Sequence, residues 1–235
     1  MDRQVCASVD RSFQCAKRGG EGGFFLLLIA IPGLVDESIA IPHGIEPFLD
    51  GTLSAGEWDD AFVVSISDNF TLFLKHTQGF LFLGIHATMR GIPSPLIVRD
   101  GGVFVLHASS ALGTGVYSQQ EGSWILRQPF AWQCRASGFS NAAIATRNQF
   151  LETEGWVATI GYLGTPTMFE YQIHIKEDPL QMLFLFLETI PPFQVVSWPI
   201  PSEFATKYLE TITGPIPTEV SFYQEDWAVL EFVFE

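Results

Sequence analysis

The chain has 235 residues, of which 47% are hydrophobic and 14% aromatic, and its 26 acidic against 12 basic side chains give a formal charge of −14. So acidic a surface repels phosphate backbones and anionic lipid, which excludes nucleic acid as a partner and suits cations or neutral ligands such as sugars. With 21 Phe and 6 Trp the chain has ample area to bury, each buried aromatic removing roughly 150–250 Å² from water, and its length fits one large β domain.

Residues 1–23 lean basic through Arg3, Arg11, Lys17 and Arg18, and the apolar run FFLLLIAIPGLV follows over residues 24–35. As a helix that run spans only about 18 Å, short of a bilayer core of ~30 Å, and it has the length of a secretory apolar region. Ser38 and Ala40 place small residues before Ile41. The expectation is a secretory leader over residues 1–40, one domain over 41–235, a secreted, periplasmic or extracellular location, and no stable membrane span once the leader is gone. Cys6 and Cys15 depart with the leader and Cys134 stands alone, so there is neither a disulfide framework nor a CxxC metal or redox motif.

The stretch LDGTLSAGEWDDA, residues 49–61, opens the domain. Asp50-Gly51 is a turn dipeptide, and Ser54 precedes Glu57 at capping-box spacing. This predicts a short helical turn over residues 55–61, with Trp58 and Ala61 on one face against a sheet. Residues 70–76 and 80–87 read as a hairpin turning at residues 77–79, and the second strand, apolar on both faces, belongs inside a sheet. Arg90 to Gly102, with two prolines and an Asp-Gly-Gly turn, reads as a loop. Strands follow at residues 102–108 and 123–130, separated by a Gly/Ser/Ala-rich stretch, while residues 132–149 show no clean period and read as an irregular strand or long loop. Further strands are expected at 154–163, 168–176, 182–188, 194–200 and 227–235, with a short helix at 202–209. In residues 169–176 apolar and polar side chains alternate strictly, which predicts a half-exposed strand. About nine short strands with frequent turns predict an all-β, antiparallel β-sandwich of jelly-roll or immunoglobulin-like type, with one or two short helical turns.

Asp50, Gly51, Leu53, Glu57, Trp58 and Ala61 resemble the opening motif of family 9 carbohydrate-binding modules and the related DOMON β-sandwiches. The hairpin ending at residue 87, the strand EGWVATIGY beginning at Glu154, Glu170 with Ile173, and Trp198-Pro199 follow in the family order. The resemblance covers residues 45 to 205; His174 stands where the family has Pro, and residues 208–235 are an extension beyond it. It implies a non-catalytic domain that holds a sugar between aromatic rings, with structural calcium in some members. Aromatic planes suit the apolar C–H faces of a sugar ring, and its hydroxyls need directed polar partners.

The candidate rings are Trp132, Trp124, Trp156 and Trp198, with Trp132 first because it lies in the least regular region. Core packing is the competing reading for each, strongest for Trp156 and Trp198. Asp50, Glu57, Asp59 and Asp60 are the candidate calcium ligands, against a reading as caps and solvated acids. Five histidines with Met89 and Met168 invite a haem proposal by likeness to DOMON domains, but none of the histidines stands at i, i+2 or i, i+4 spacing from another. Glu152 and Glu154 have nothing to place them around a glycosidic bond, and there is no G-x-S-x-G elbow. The expected function is therefore non-enzymatic binding of a carbohydrate, with an interaction sandwich that meets another extracellular protein as the alternative and a haem carrier third.

Overall fold

The computed structural model describes residues 6–9, 12–15, 38–77, 79–161 and 164–233. The chain divides into two units, residues 1–35 and 36–235. In the first, β1 (Cys6–Val9) pairs antiparallel with β2 (Ser12–Cys15); the apolar run at 24–35 lies outside the described residues.

The second unit begins with β3 (Ile39–Ile41), β4 (Phe62–Ser67), β5 (Phe70–Thr77) and β6 (Phe80–Ala87). It continues through β7 (Gly91–Arg99), β8 (Gly102–Ala108), β9 (Ala111–Gln120), β10 (Ser123–Gln128) and β11 (Cys134–Arg135). After α1 (Asn141–Glu154) come β12 (Trp156–Thr159), β13 (Thr167–His174), β14 (Leu180–Glu188) and β15 (Val195–Trp198). A short α2 (Ser202–Ala205) runs into a 3-10 helix (Thr206–Thr211), and β16 (Glu219–Val220) and β17 (Ala228–Phe232) complete the chain.

Two sheets make the sandwich. The larger has the order β16-β10-β9-β8-β7-β14-β17-β3, with β11 on β9 and β15 on β14; the smaller has the order β12-β13-β6-β5-β4. All pairs are antiparallel except β17 with β3. The main core lies between the sheets: Leu72, Leu74, Leu83, Ile85, Phe169 and Tyr171 face Ile97, Leu106, Met182, Phe184 and Phe186. Tyr171 Oη donates to Pro93 O at 3.0 Å, tying the small sheet to β7 through that core.

Both sheets also bury side chains on their outer faces, apolar ones on the large sheet and a mixture of apolar and polar ones on the small sheet. On the large sheet, residues 200–227 lay Ile200, Ala205, Tyr208, Ile212, Phe222 and Trp227 over Leu96, Val103, Val105, Tyr117, Leu183 and Leu185, forming a second core. On the small sheet, Trp58 lies against Gly84, where an added Cβ would come 2.9 Å from Trp58 Cε2. Lys75, fully buried, donates from Nζ to Glu57 O at 2.5 Å and to Asp60 Oδ1 at 2.9 Å. Burial pushes the Asp60 carboxyl up, but the Ile45 N–H and Lys75 outweigh it and hold the group below the ordinary carboxylate range.

Several expectations change. Residues 55–60 form hydrogen-bonded turns rather than a helix; Glu57 Oε2 accepts from Ser54 N at 3.1 Å, while Oε1 accepts from Phe48 N at 2.7 Å. The strand at 169–174 is not half-exposed, because its polar side lies under the opening segment: Glu170 is 0% exposed and Gln172 9%. The segment read as a loop at 90–102 is β7, central in the large sheet. Pro93 and Pro95 pair only with β14, since β8 pairs with Leu96 to Arg99, so their missing donors fall where no second neighbour needs them. The Gly/Ser/Ala-rich stretch is β9, and residues 132–149 hold β11 and most of α1. Ser140 Oγ accepts from Ala143 N, and Gly155, at φ 74°, closes the helix through its N–H to Leu151 O. Ile39 and Ala40 pair with β17, so a cut before Ile41 would fall inside a strand.

Glu170 fastens the opening turn. Its Oε2 accepts from Gly51 N at 2.7 Å, and Gly51, at φ 79°, packs so closely that an added Cβ would fall 1.9 Å from Gly161 N. Oε1 is buried with no partner among the described residues. Burial pushes the carboxyl up to about 7 against the Gly51 hydrogen bond, and the charges of Glu57 and Asp50 add to the rise. A raised acid is protonated in the folded state while the unfolded group, near 4.3, is ionised, so its contribution is full below about 4.3 and is lost as pH rises through about 7. Glu170→Gln keeps an acceptor for Gly51 without a charge. Its stability relative to wild type is expected to rise between pH 5 and pH 8 by on the order of 3 kcal/mol, read by chemical denaturation at both pH values; an unchanged difference would contradict the buried-acid assignment.

Candidate functional site

The two sheets part along one edge, and a cleft of about 610 Å³ opens there. One wall is β4 and the residues that follow it, contributing Val64, Ser65, Ser67 and Asn69; the other is β14 to α2, contributing Glu188, Gln194, Trp198 and Pro199. Each of β4 and β15 pairs on one side only, with β5 and β14 respectively. Neither is flanked by a further strand, so side chains rather than a ladder fill the gap.

Local bonding fixes the polar groups. Asn69 Oδ1 accepts from Thr88 Oγ1 at 2.9 Å, which leaves the side-chain amide nitrogen as the donor to offer. The Glu188 N–H donates to Gln194 O at 2.8 Å, closing the turn that presents both side chains. Ser197 Oγ donates to Ile200 O at 2.7 Å and holds the backbone beyond Trp198. Trp198 pairs in register with Phe184 and packs partly on the main core, so its indole is half-buried and anchored. Glu188 is the one charged side chain among the lining residues. The arrangement offers an indole, hydroxyls, amides and one carboxylate, a set able to hydrogen-bond a polar ligand.

The four candidate indoles lie in different surroundings. Trp156 is fully buried, stacked on Tyr171 with ring centroids 5.7 Å apart, and its Nε1 donates to Thr114 Oγ1 at 2.8 Å. Trp124 is 8% exposed and meets Phe222 edge-on in the second core. Trp198 lines the cleft, and Trp132, 52% exposed, stands on the outer face of the large sheet beside His107 and Phe130. The structure thus does not bring two of these indoles together around one gap. Asn69, Glu188 and Gln194 carried no sequence signal, because the cleft joins Asn69 to segments more than a hundred residues away.

The candidate calcium ligands serve the opening turn. Asp50 Oδ1 accepts from Thr52 N at 2.8 Å, both Glu57 oxygens accept backbone N–H groups, and Asp60 is divided between Lys75 and Ile45 N. Asp59 is exposed. Among the described residues no three His, Cys, Asp or Glu side chains converge as a metal group. His43 and His76 meet edge-on at 5.3 Å, while His107 lies apart with Ser94 Oγ 3.0 Å from its Nδ1. No helix among the described residues is long and apolar enough to cross a membrane.

No family model and no curated sequence matches the chain. Among solved structures it is similar to a family 9 carbohydrate-binding module from Caldicellulosiruptor kristjanssonii in complex with cellotriose, at 8% identity and a TM-score of 0.46, over 83% of this chain and 93% of that one.

Core and cleft indoles separate experimentally. Trp156→Ala is expected to cost about 3–5 kcal/mol of stability in denaturant titration. Trp198→Ala, losing only a half-buried ring, is expected to cost roughly half as much or less.

Proposed function

We propose that the chain is a non-catalytic, exported carbohydrate-binding domain, and that the cleft between β4 and β15 receives a neutral sugar against the indole of Trp198. The observation that carries this reading is the meeting of an anchored, half-exposed indole with amide, hydroxyl and carboxylate side chains in one open concavity of about 610 Å³. A pyranose ring stacks an apolar face on the indole, while Asn69, Gln194 and Glu188 take its rim hydroxyls. The volume lies within the range of small-molecule sites. One carboxylate and an overall charge of −14 disfavour an anionic glycan. The opening motif supports the reading by its likeness to family 9 modules, and the apolar run at residues 24–35 supports export.

A second reading, an interaction domain without a sugar site, draws on one observation. Ile190, Phe193 and Phe204 are 51%, 68% and 57% exposed and bracket the cleft-lining segment in sequence. Calorimetry with neutral gluco-, xylo- and manno-oligosaccharides separates the two. Binding of at least one of them, weakened tenfold or more in Trp198→Ala and several-fold in Glu188→Gln, is expected of the sugar site; tenfold corresponds to about 1.4 kcal/mol. No heat with any sugar would leave the interaction reading in its place, and equal affinity in Trp198→Ala would rule out the cleft as the sugar site.

A further inference from the structure

We propose that Trp132 forms a second, flat sugar-stacking surface, separate from the Trp198 cleft, which grips a neutral polysaccharide chain. Trp132 and Phe130 lie directly on the backbone of β9. A Cβ on Gly113 would come 2.7 Å from Trp132 Cζ3, and one on Gly115 would come 3.0 Å from Phe130 Cε1. Glycine inside a strand weakens it and marks a close approach to the backbone, and here two alternate glycines clear the same face for two rings. The Trp132 ring centroid is 5.1 Å from that of Phe130 and 5.3 Å from that of His107. His107 is itself fixed, with Ser94 Oγ 3.0 Å from Nδ1, and burial brings its pKa down to about 4, so the imidazole is neutral at neutral pH.

The indole is thus held on three sides and is nevertheless 52% exposed, the only exposed tryptophan of the six. The fold gains little burial from the outward part of the ring, while the immobilised plane reduces the ordering cost of any ligand that stacks on it. The chemistry around it selects the ligand. Residues 128–133, QPFAWQ, contain no charge, and Gln128 and Gln133 offer exposed amides in the same segment. A flat exposed ring in an uncharged segment of an acidic protein suits the C–H face of a neutral sugar, and disfavours polyanionic chains.

The two indoles belong to opposite sides of the large sheet's central strands. Trp132 rests on β9, whereas Trp198 is on β15, reached from β9 across β8, β7 and β14. Four strand spacings put them on the order of 19 Å apart across the sheet. Trp132 stands on the outer face of that sheet while Trp198 packs on the core against its inner face, so a sugar ring in the cleft does not touch Trp132 and each indole meets its own stretch of sugar.

The test follows the indole N–H resonances of Trp132 and Trp198 by NMR during titration with soluble hexaoses of glucose, xylose and mannose, and measures adsorption to the corresponding insoluble polysaccharides. In Trp198→Ala the Trp132 resonance is expected to shift with at least one hexaose. Trp132→Ala is expected to lower adsorption tenfold or more while the Trp198 resonance still responds to sugar, and Trp132→Tyr to retain most of the adsorption. A Trp132 resonance unmoved by every hexaose, or adsorption of Trp132→Ala within twofold of wild type, overturns the second surface. A response at Trp132 with silence at Trp198 supports the second surface and sinks the cleft reading alone.

Discussion

The constraint on which this fold depends is that both sheets bury side chains on both faces. A sandwich buries two of the four faces; the other two need cover from elsewhere in the chain. The opening segment supplies it for the small sheet through Trp58 on Gly84 and Lys75 beneath the turn. Residues 200–227 supply it for the large sheet through Tyr208, Phe222 and Trp227. The result is four layers in which polar side chains such as Lys75 and Glu170 are sealed between a sheet and its cover, each with a backbone partner at short range.

The candidate sites lie where cover stops. Over His107, Gly113 and Gly115 the large sheet is covered by Phe130 and Trp132 with Ile216 beside them, and Trp132 remains 52% exposed. At the edge formed by β4 and β15 the sheets diverge, and Trp198 closes the core on one side while facing the cleft on the other. Apolar area left open in rigid, aromatic form beside amides is well suited to stacking, because the rings are ordered by folding rather than by the ligand.

Much of the sandwich was legible in the sequence because period-2 runs bounded by turns are local signals: the hairpin of β5 and β6, and strands β8, β13 and β14, fall close to their expected places. Misreadings arose where tertiary contact overrides composition. Pro93 and Pro95 suggested a loop, but they occupy the part of β7 that has one neighbour. The glycines of β9 suggested irregularity, but they make room for rings that come later in the chain. Helix α1 has little apolar periodicity, so it read as irregular, and its only local marks are the Ser140 and Gly155 that cap it. The Glu170 side of β13 looked exposed because its cover begins at Gly51, 119 residues away. Trp132 and Trp198 could be nominated from sequence as aromatics, but whether an indole faces a core or a cleft depends on strands distant in the chain, and the polar lining of the cleft had no local signature at all.

The most direct measurement of the central claim is a crystal structure of the protein grown with a neutral oligosaccharide that it binds. The expected result is a sugar ring stacked on Trp198, with hydroxyls within hydrogen-bonding distance of Asn69, Gln194 or Glu188. A ligand bound elsewhere while the cleft between β4 and β15 holds only solvent would contradict it.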